Sequence, residues 1–395
     1  MASLLIENGR VIDPSQGIDR VMNVLVEENR IAALDAAAGS ADRVLDAAGL
    51  IVAPGLIDLH VELREPGHEE DETIASGAAA ALAGGFTTIA CLPNTQPPID
   101  TQAGVEFVQH QAEKAAQCNV VVIGCVSKGR EGQELAEMEA LAQAGAVAFS
   151  DAPAPVASTE LLRRALQYCL MVDRPIFNHP EVRELTHGGI MHEGRTSLVL
   201  GLTGMPAEAE DVMTARDIRL AESTGGRLHL MNISSGESVE QIRRAKSRGV
   251  PVTAEVCPQH LLLTEESLRT FDSNYKVNPP LRTAEDLEAC LAGLRDGTLD
   301  CITSGHAPRS LEKKMQELDQ APFGMVGLET TLGLIATRII AAGLLDWSTA
   351  IRCLSTNPAR ILGLGSKGTL APGADADITL IDPEYQRAFQ RTRDR

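Results

Sequence analysis

The sequence predicts an α/β protein: a closed (β/α)8 TIM-type barrel carrying a small β-sandwich domain formed from both chain ends. Three observations carry this. From Leu50 onward, eight short apolar runs alternate with Ala- and Leu-rich stretches, the signature of repeated βα units on a parallel sheet. Before and after that region the texture is instead short strands broken by turn residues. The chain of 395 residues holds a barrel, which takes about 250 residues, and leaves room for an appended domain.

The opening strands are Leu4-Leu5-Ile6, Val11-Ile12, Val24-Leu25-Val26 and Ile31-Ala32-Ala33. Asn8-Gly9 and Asp13-Pro14-Ser15-Gln16-Gly17 are read as turns between them. The barrel strands are expected near 57–61, 87–91, 120–125, 146–150, 175–178, 227–231, 252–256 and 301–304. Helices are expected at 73–83, 135–144, 160–169 and 284–294, with a further helical stretch at 330–342. Gly84-Gly85 and Gly225-Gly226 fit helix ends that lead into strands. Strand texture returns in Gly368-Thr369-Leu370 and Ile378-Thr379-Leu380-Ile381. The expected domains are therefore 1–53 and 365–395 for the two parts of the β domain and 54–364 for the barrel, with a frayed polar end at 386–395.

Composition narrows the function. A net charge of −19 excludes a basic footprint for nucleic acid and disfavours an anionic membrane surface. No apolar run reaches the roughly 18 residues of a membrane-spanning helix, and residues 1–10 have no secretion-signal pattern. The eight cysteines, Cys91, Cys118, Cys125, Cys169, Cys257, Cys290, Cys301 and Cys353, form no CxxC pair and read as reduced thiols of a cytoplasmic protein.

Barrel chemistry sits at the C-terminal ends of strands. The first strand ends in Asp58-Leu59-His60-Val61-Glu62-Leu63-Arg64, where alternation places His60, Glu62 and Arg64 on one face. Later strands end in Asp151, in His179, in Asn232 and in Gly305-His306. His306 is expected to make a structural hydrogen bond, and His229 to pack behind the barrel. The runs GLIDLHVELREPG, CLPNTQPPID, KVNPPLRT, HAPR and APFGMVGLET resemble dihydroorotase of the long bacterial type, and TLAPGADADITLID resembles the closing segment of the wider amidohydrolase superfamily.

That resemblance implies a binuclear zinc centre held by four histidines, a bridging acid and an aspartate that doubles as catalytic base. His60, Asp151 and His179 match three of those positions. Glu62 stands in place of the second first-strand histidine, Asn232 in place of the sixth-strand histidine, and Gly305 in place of the aspartate. Gln259 and Arg309 also replace histidines. Arg64, Asn94 and Asn278 match the positions that hold the substrate's carboxylate and ring, and an Arg fork suits a carboxylate. Asn is a poor zinc donor and Gly is none, so the residues left at the vestigial site are His60, Glu62, Asp151 and His179.

The expectation from these replacements is a catalytically inactive dihydroorotase-like chain. It would need no cofactor, or hold at most one zinc weakly. As a non-catalytic subunit it would associate with the aspartate carbamoyltransferase catalytic chain, in a hetero-oligomer and as a homodimer. Two other readings stand beside it: an active zinc-dependent dihydroorotase with a one-metal site, and a sensor that binds dihydroorotate through Arg64 and Asn278 without converting it.

Overall fold

The computed structural model describes residues 3–37 and 41–386, so most of the polar end, 387–395, lies outside the described residues. Eight parallel strands make the barrel: β6 (Leu56–Val61), β7 (Phe86–Cys91), β8 (Asn119–Gly124), β9 (Ala146–Ser150), β10 (Ile176–Asn178), β13 (Leu228–Leu230), β14 (Val252–Val256) and β15 (Cys301–Ile302). Each lies within a few residues of its expected run. Neighbours pair in that order, and a parallel bridge between Val61 and His306 closes β6 onto the chain following β15. A short pair, β11 (Met191–His192) and β12 (Gly204–Met205), sits in a connection.

Alternation sorts the barrel residues into two packed layers. Ile57, Leu59, Ala90, Leu92, Ile123, Ala148, Phe177, Met231 and Cys301 form the interior cluster. Their neighbours in sequence, such as Leu56, Ile89, Val122, Phe149, Ile176 and Leu230, join the cluster that faces the surrounding helices. The helix Asn357–Leu362 contributes Ala359, Ile361 and Leu362 to the interior. Its Asn357 donates to Asp300 O at 2.8 Å, just before β15, so this helix stoppers the N-terminal end. The C-terminal end is left for chemistry.

The small domain is one mixed sheet of six strands from both chain ends, with β16 (Ile378–Ile381), β5 (Ile51–Pro54), β1 (Ser3–Asp13), β2 (Ile18–Glu27) and β3 (Arg30–Leu34) in that order and β4 (Arg43–Asp46) on β1. Asn8-Gly9 is not a turn, as the sequence suggested, but a bulge inside β1: the register with β2 shifts there and Asn8 has φ of 62°. Gly9 is required at that bulge because a Cβ would stand 2.4 Å from Val52 Cγ2. The Asp13–Gly17 turn forms as expected. Asp13, fully buried, accepts from Ser15 N at 2.9 Å and from Leu370 N at 2.7 Å, which ties the first hairpin to the last segment.

All eight cysteines are free thiols, and all but Cys118 are buried. Among the described residues no helix is long and apolar enough to cross a membrane.

Phe177 is the largest side chain of the interior layer, and its ring rests 4.4 Å from the His229 ring. Phe177→Ala should lower stability by about 3–5 kcal/mol in urea unfolding. A loss below about 1 kcal/mol would show that the layer collapses around the gap.

Candidate active site

His60 lies on β6, and Glu62 and Arg64 follow it where the strand has ended at Val61. Arg64 adopts φ of 61°, so simple alternation fails there, yet its guanidinium still folds back onto Glu62 as a buried ion pair. Asn94, after β7, donates Nδ2 to Glu62 Oε2 at 2.7 Å. Burial alone would raise the Glu62 carboxyl, but the Arg64 and Arg309 guanidinium groups and the Asn94 amide more than offset it and hold it below the ordinary carboxylate range. Arg64 Nε donates to Pro308 O at 3.2 Å. Its Nη2, and the Oδ1 of Asn94, are buried without a hydrogen-bond partner among the described residues.

Asp151 closes β9. Its Oδ1 accepts from the backbone N–H groups of Val126 (3.0 Å) and Ser127 (3.1 Å), and Oδ2 from the Ser127 hydroxyl. Burial raises this carboxyl in spite of those donors. Arg130 reaches past the carboxylate to its backbone, with Nη2 2.8 Å from Asp151 O. His179 follows β10; its Nε2 is buried, stands 3.6 Å from Glu181 Oε2, beyond hydrogen-bond length, and has no partner among the described residues. Asn278 Nδ2 donates to that same oxygen, Glu181 Oε2, at 3.2 Å, while Oε1 accepts from the Thr186 hydroxyl at 2.5 Å. Burial pushes Glu181 up, but His179, Thr186 and Asn278 outweigh it and hold it at about 2.

The structure thus assembles two groups at the mouth, Glu62–Arg64–Asn94 and His179–Glu181–Asn278. It does not assemble the six family metal positions. Asn232 has φ of 50° and its Oδ1 accepts from Cys257 Sγ at 2.8 Å. Gly305 has φ of 58°, and a Cβ there would lie 2.6 Å from Cys257 Sγ and 2.9 Å from Gln259 Nε2. Glu62 is occupied by Arg64, and Asp151 by Ser127 and its neighbours. Among the described residues no three His, Cys, Asp or Glu side chains gather where they would hold a metal ion. The residues present do not fit a two-zinc centre in this arrangement.

Two histidines complete the inventory. His306 Nε2 meets Glu72 Oε2 at 2.9 Å and its Nδ1 accepts from Gly327 N at 3.2 Å, a structural role as expected. His229 does not pack behind the barrel. It faces the interior with Met231, just past the strand end, and its ring meets Phe177 of β10, because Leu228 and Leu230 take the helix-facing side. There its Nε2 meets Glu255 Oε2 at 3.1 Å, while Glu255 Oε1 holds His60 Nδ1 at 2.6 Å. Glu255 went unnoticed in the sequence, though a lone carboxylate inside the apolar run Val252–Val256 was the available signal. Cys257 and Ser127 carried no such signal.

Comparison with known proteins places this arrangement. The barrel with its appended sheet is shared with the L-hydantoinase (dihydropyrimidinase) of Arthrobacter aurescens, with a TM-score of 0.86 and 26% identity over 96% of this chain and 86% of that one. The dihydro-orotase-like family matches residues 49–238, and an amidohydrolase family matches 213–395. The dihydroorotase of Pelotomaculum thermopropionicum is 52% identical across 99% of this chain and 91% of its own length. A putative dihydroorotase of Rhodopirellula baltica is 50% identical across 96% and 84%. The chain belongs to the dihydroorotase-like family of the amidohydrolases.

These relatives correct the expectation of an inactive, non-catalytic subunit. Chains about half identical from end to end carry the name of the enzyme, so three replaced side chains do not take this chain out of that company. The expectation of no cofactor is corrected with it, because the family pattern that His60, Asp151 and His179 match is a metal-dependent one.

Gly305→Asp should cost about 2 kcal/mol or more in thermal or urea unfolding, from a non-glycine residue at positive φ and from overlap with Cys257 and Gln259. A variant as stable as the parent would show that the pocket yields. For Glu181, the folded value lies below the unfolded one, so its contribution is present above about pH 4.5 and is lost as pH falls towards 2. Glu181→Gln should therefore be destabilising near neutrality, with the gap to wild type closing as pH falls from about 5 to 2. Parallel pH–stability curves would refute it.

Proposed function

We propose that the chain is a dihydroorotase with a reduced site, interconverting the cyclic amide of dihydroorotate and the open carbamoyl aspartate. The observation that carries the reading is a set of buried polar atoms without hydrogen-bond partners among the described residues, Arg64 Nη2, Asn94 Oδ1 and His179 Nε2, near the C-terminal ends of barrel strands. Unsatisfied buried groups of this kind cost about 1–3 kcal/mol each, and a ligand with complementary polar atoms recovers that cost. The full-length likeness to dihydroorotases supports the same substrate class.

In this reading Arg64 takes the substrate carboxylate through Nη2, while Glu62 and Pro308 O hold the guanidinium in place. Asn94 Oδ1 accepts a ring N–H, and Asn278 closes the ring's other edge from its place on Glu181. Hydrolysis breaks the ring C–N bond, joins a hydroxyl to the carbonyl carbon and delivers a proton to the nitrogen. Gly305 offers no side chain for that proton transfer, which leaves the His179 imidazole to carry it, its Nε2 beside Glu181 and without a hydrogen-bond partner among the described residues. A bound zinc would supply carbonyl polarisation and a more acidic water, but the residues as arranged do not form its cage, and no step here passes through it.

The test is turnover of dihydroorotate by the purified chain with and without added zinc. Turnover is expected, and Arg64→Ala should lower kcat/KM by about 10²-fold through loss of a buried charge-assisted contact. Absence of turnover in both conditions across a millimolar range of substrate overturns the proposal.

A further inference from the structure

The interior of the barrel holds one group that neither the fold nor the mouth accounts for. Glu255 lies on the inward side of β14 and is fully buried, whereas Val252, Ala254 and Val256 face the helices. Its two oxygens are divided between two histidines from different strands: Oε1 meets His60 Nδ1 at 2.6 Å and Oε2 meets His229 Nε2 at 3.1 Å. His229 spends its second nitrogen on Thr253 Oγ1, 2.8 Å away. His60 is tied a second time through its backbone N–H, which donates to Asp58 Oδ1 at 3.0 Å, while Asp58 Oδ2 accepts from Ser304 N at 3.0 Å. His60 is therefore held by Glu255 of β14 and by Asp58 of its own strand, which are braced in turn by His229 of β13 and by Ser304 just after β15.

We infer that Glu255 is a positioning residue: by accepting a hydrogen bond from the Nδ1–H of His60 it fixes that ring's tautomer and leaves Nε2, with its lone pair, as the ring nitrogen His60 presents to the barrel mouth. A purely structural role explains the arrangement poorly. Burying a carboxylate is expensive, and a well-packed apolar side chain of similar size is commonly as stable or more so. Orientation is what a leucine at this position would not provide. A carboxylate or carbonyl behind one imidazole nitrogen is the usual means of setting what the other nitrogen does. His229 serves the same end by engaging the second oxygen, which stops Glu255 from rotating away from His60.

The inference rests on the dihydroorotase reading for what His60 then does, and the experiment separates the two. The full chain is labelled with 15N-histidine, and the His60 ring signals are assigned by their absence from a His60→Asn variant. Wild type should show His60 protonated at Nδ1 with an unprotonated Nε2. Glu255→Leu should convert His60 to the other tautomer or a mixture and lower kcat by about 10–100-fold, the usual cost of losing such a partner, with KM within about threefold of wild type. Glu255→Met, of similar length, serves if the Leu variant does not fold, and should show the same change because it gives His60 Nδ1 no oxygen acceptor. A folded variant whose His60 signals match wild type overturns the inference. If wild type itself shows no turnover, the dihydroorotase reading falls, while the tautomer comparison still decides the role of Glu255.

Discussion

A closed parallel barrel obliges every strand to commit alternate side chains to an interior with no solvent, and most of the molecule follows from how that space is filled. In the lower part it is filled by branched and small apolar residues, with the Asn357–Leu362 helix as a stopper. Towards the other end, polar groups enter the same space, and each must find a partner within it. Asp58, Glu255, His60 and His229 do so among themselves and with backbone N–H groups. Burial pushes the Asp58 carboxyl up to about 6, whereas the two imidazoles around Glu255 overcome burial and hold it at about 2. The contrast shows how a few ångströms of partner placement set the acidity of two similarly buried acids.

Much of this architecture was legible from residue patterns. Most of the eight barrel strands are short apolar runs with Gly, Pro or Asn next to at least one end. Helices such as Ile74–Ala83, capped by Thr73, and Ala284–Asp296, capped by Thr283, begin at side chains that satisfy their own first turn. What failed were features set by tertiary contact. Asn8-Gly9 has the composition of a hairpin turn, but β4 and β5 both pair with β1 on either side of it, and the chain passes through as a bulge. His229 was read on the wrong side of its strand because three residues, Leu228–Leu230, give alternation too little length to declare its phase.

The mouth was legible only in part, for a different reason. Resemblance identified which positions differ from the family pattern, but a position says nothing about what now occupies the space beside it. Cys257 and Gln259 stand against Gly305, and Cys257 also engages Asn232, so these replacements interlock rather than act one by one. Arg64 was expected to stand ready for a carboxylate ligand. In the structure one of its nitrogens is committed to Glu62 and another has no hydrogen-bond partner among the described residues, and a one-dimensional reading does not divide a side chain in that way.

The knitting of both chain ends into one sheet has a consequence for synthesis. Strands β1 to β5 leave the ribosome first, yet the strand that covers β5 is Ile378–Ile381, more than 300 residues later. Until then β5 presents a bare edge, and Asp13 lacks the Leu370 N–H that helps to satisfy it. The barrel, whose strands pair in order of synthesis, assembles while the first fifty residues wait. The last few dozen residues then act as a seal, and a chain cut short before them would carry an essentially whole barrel with an open, adhesive flap.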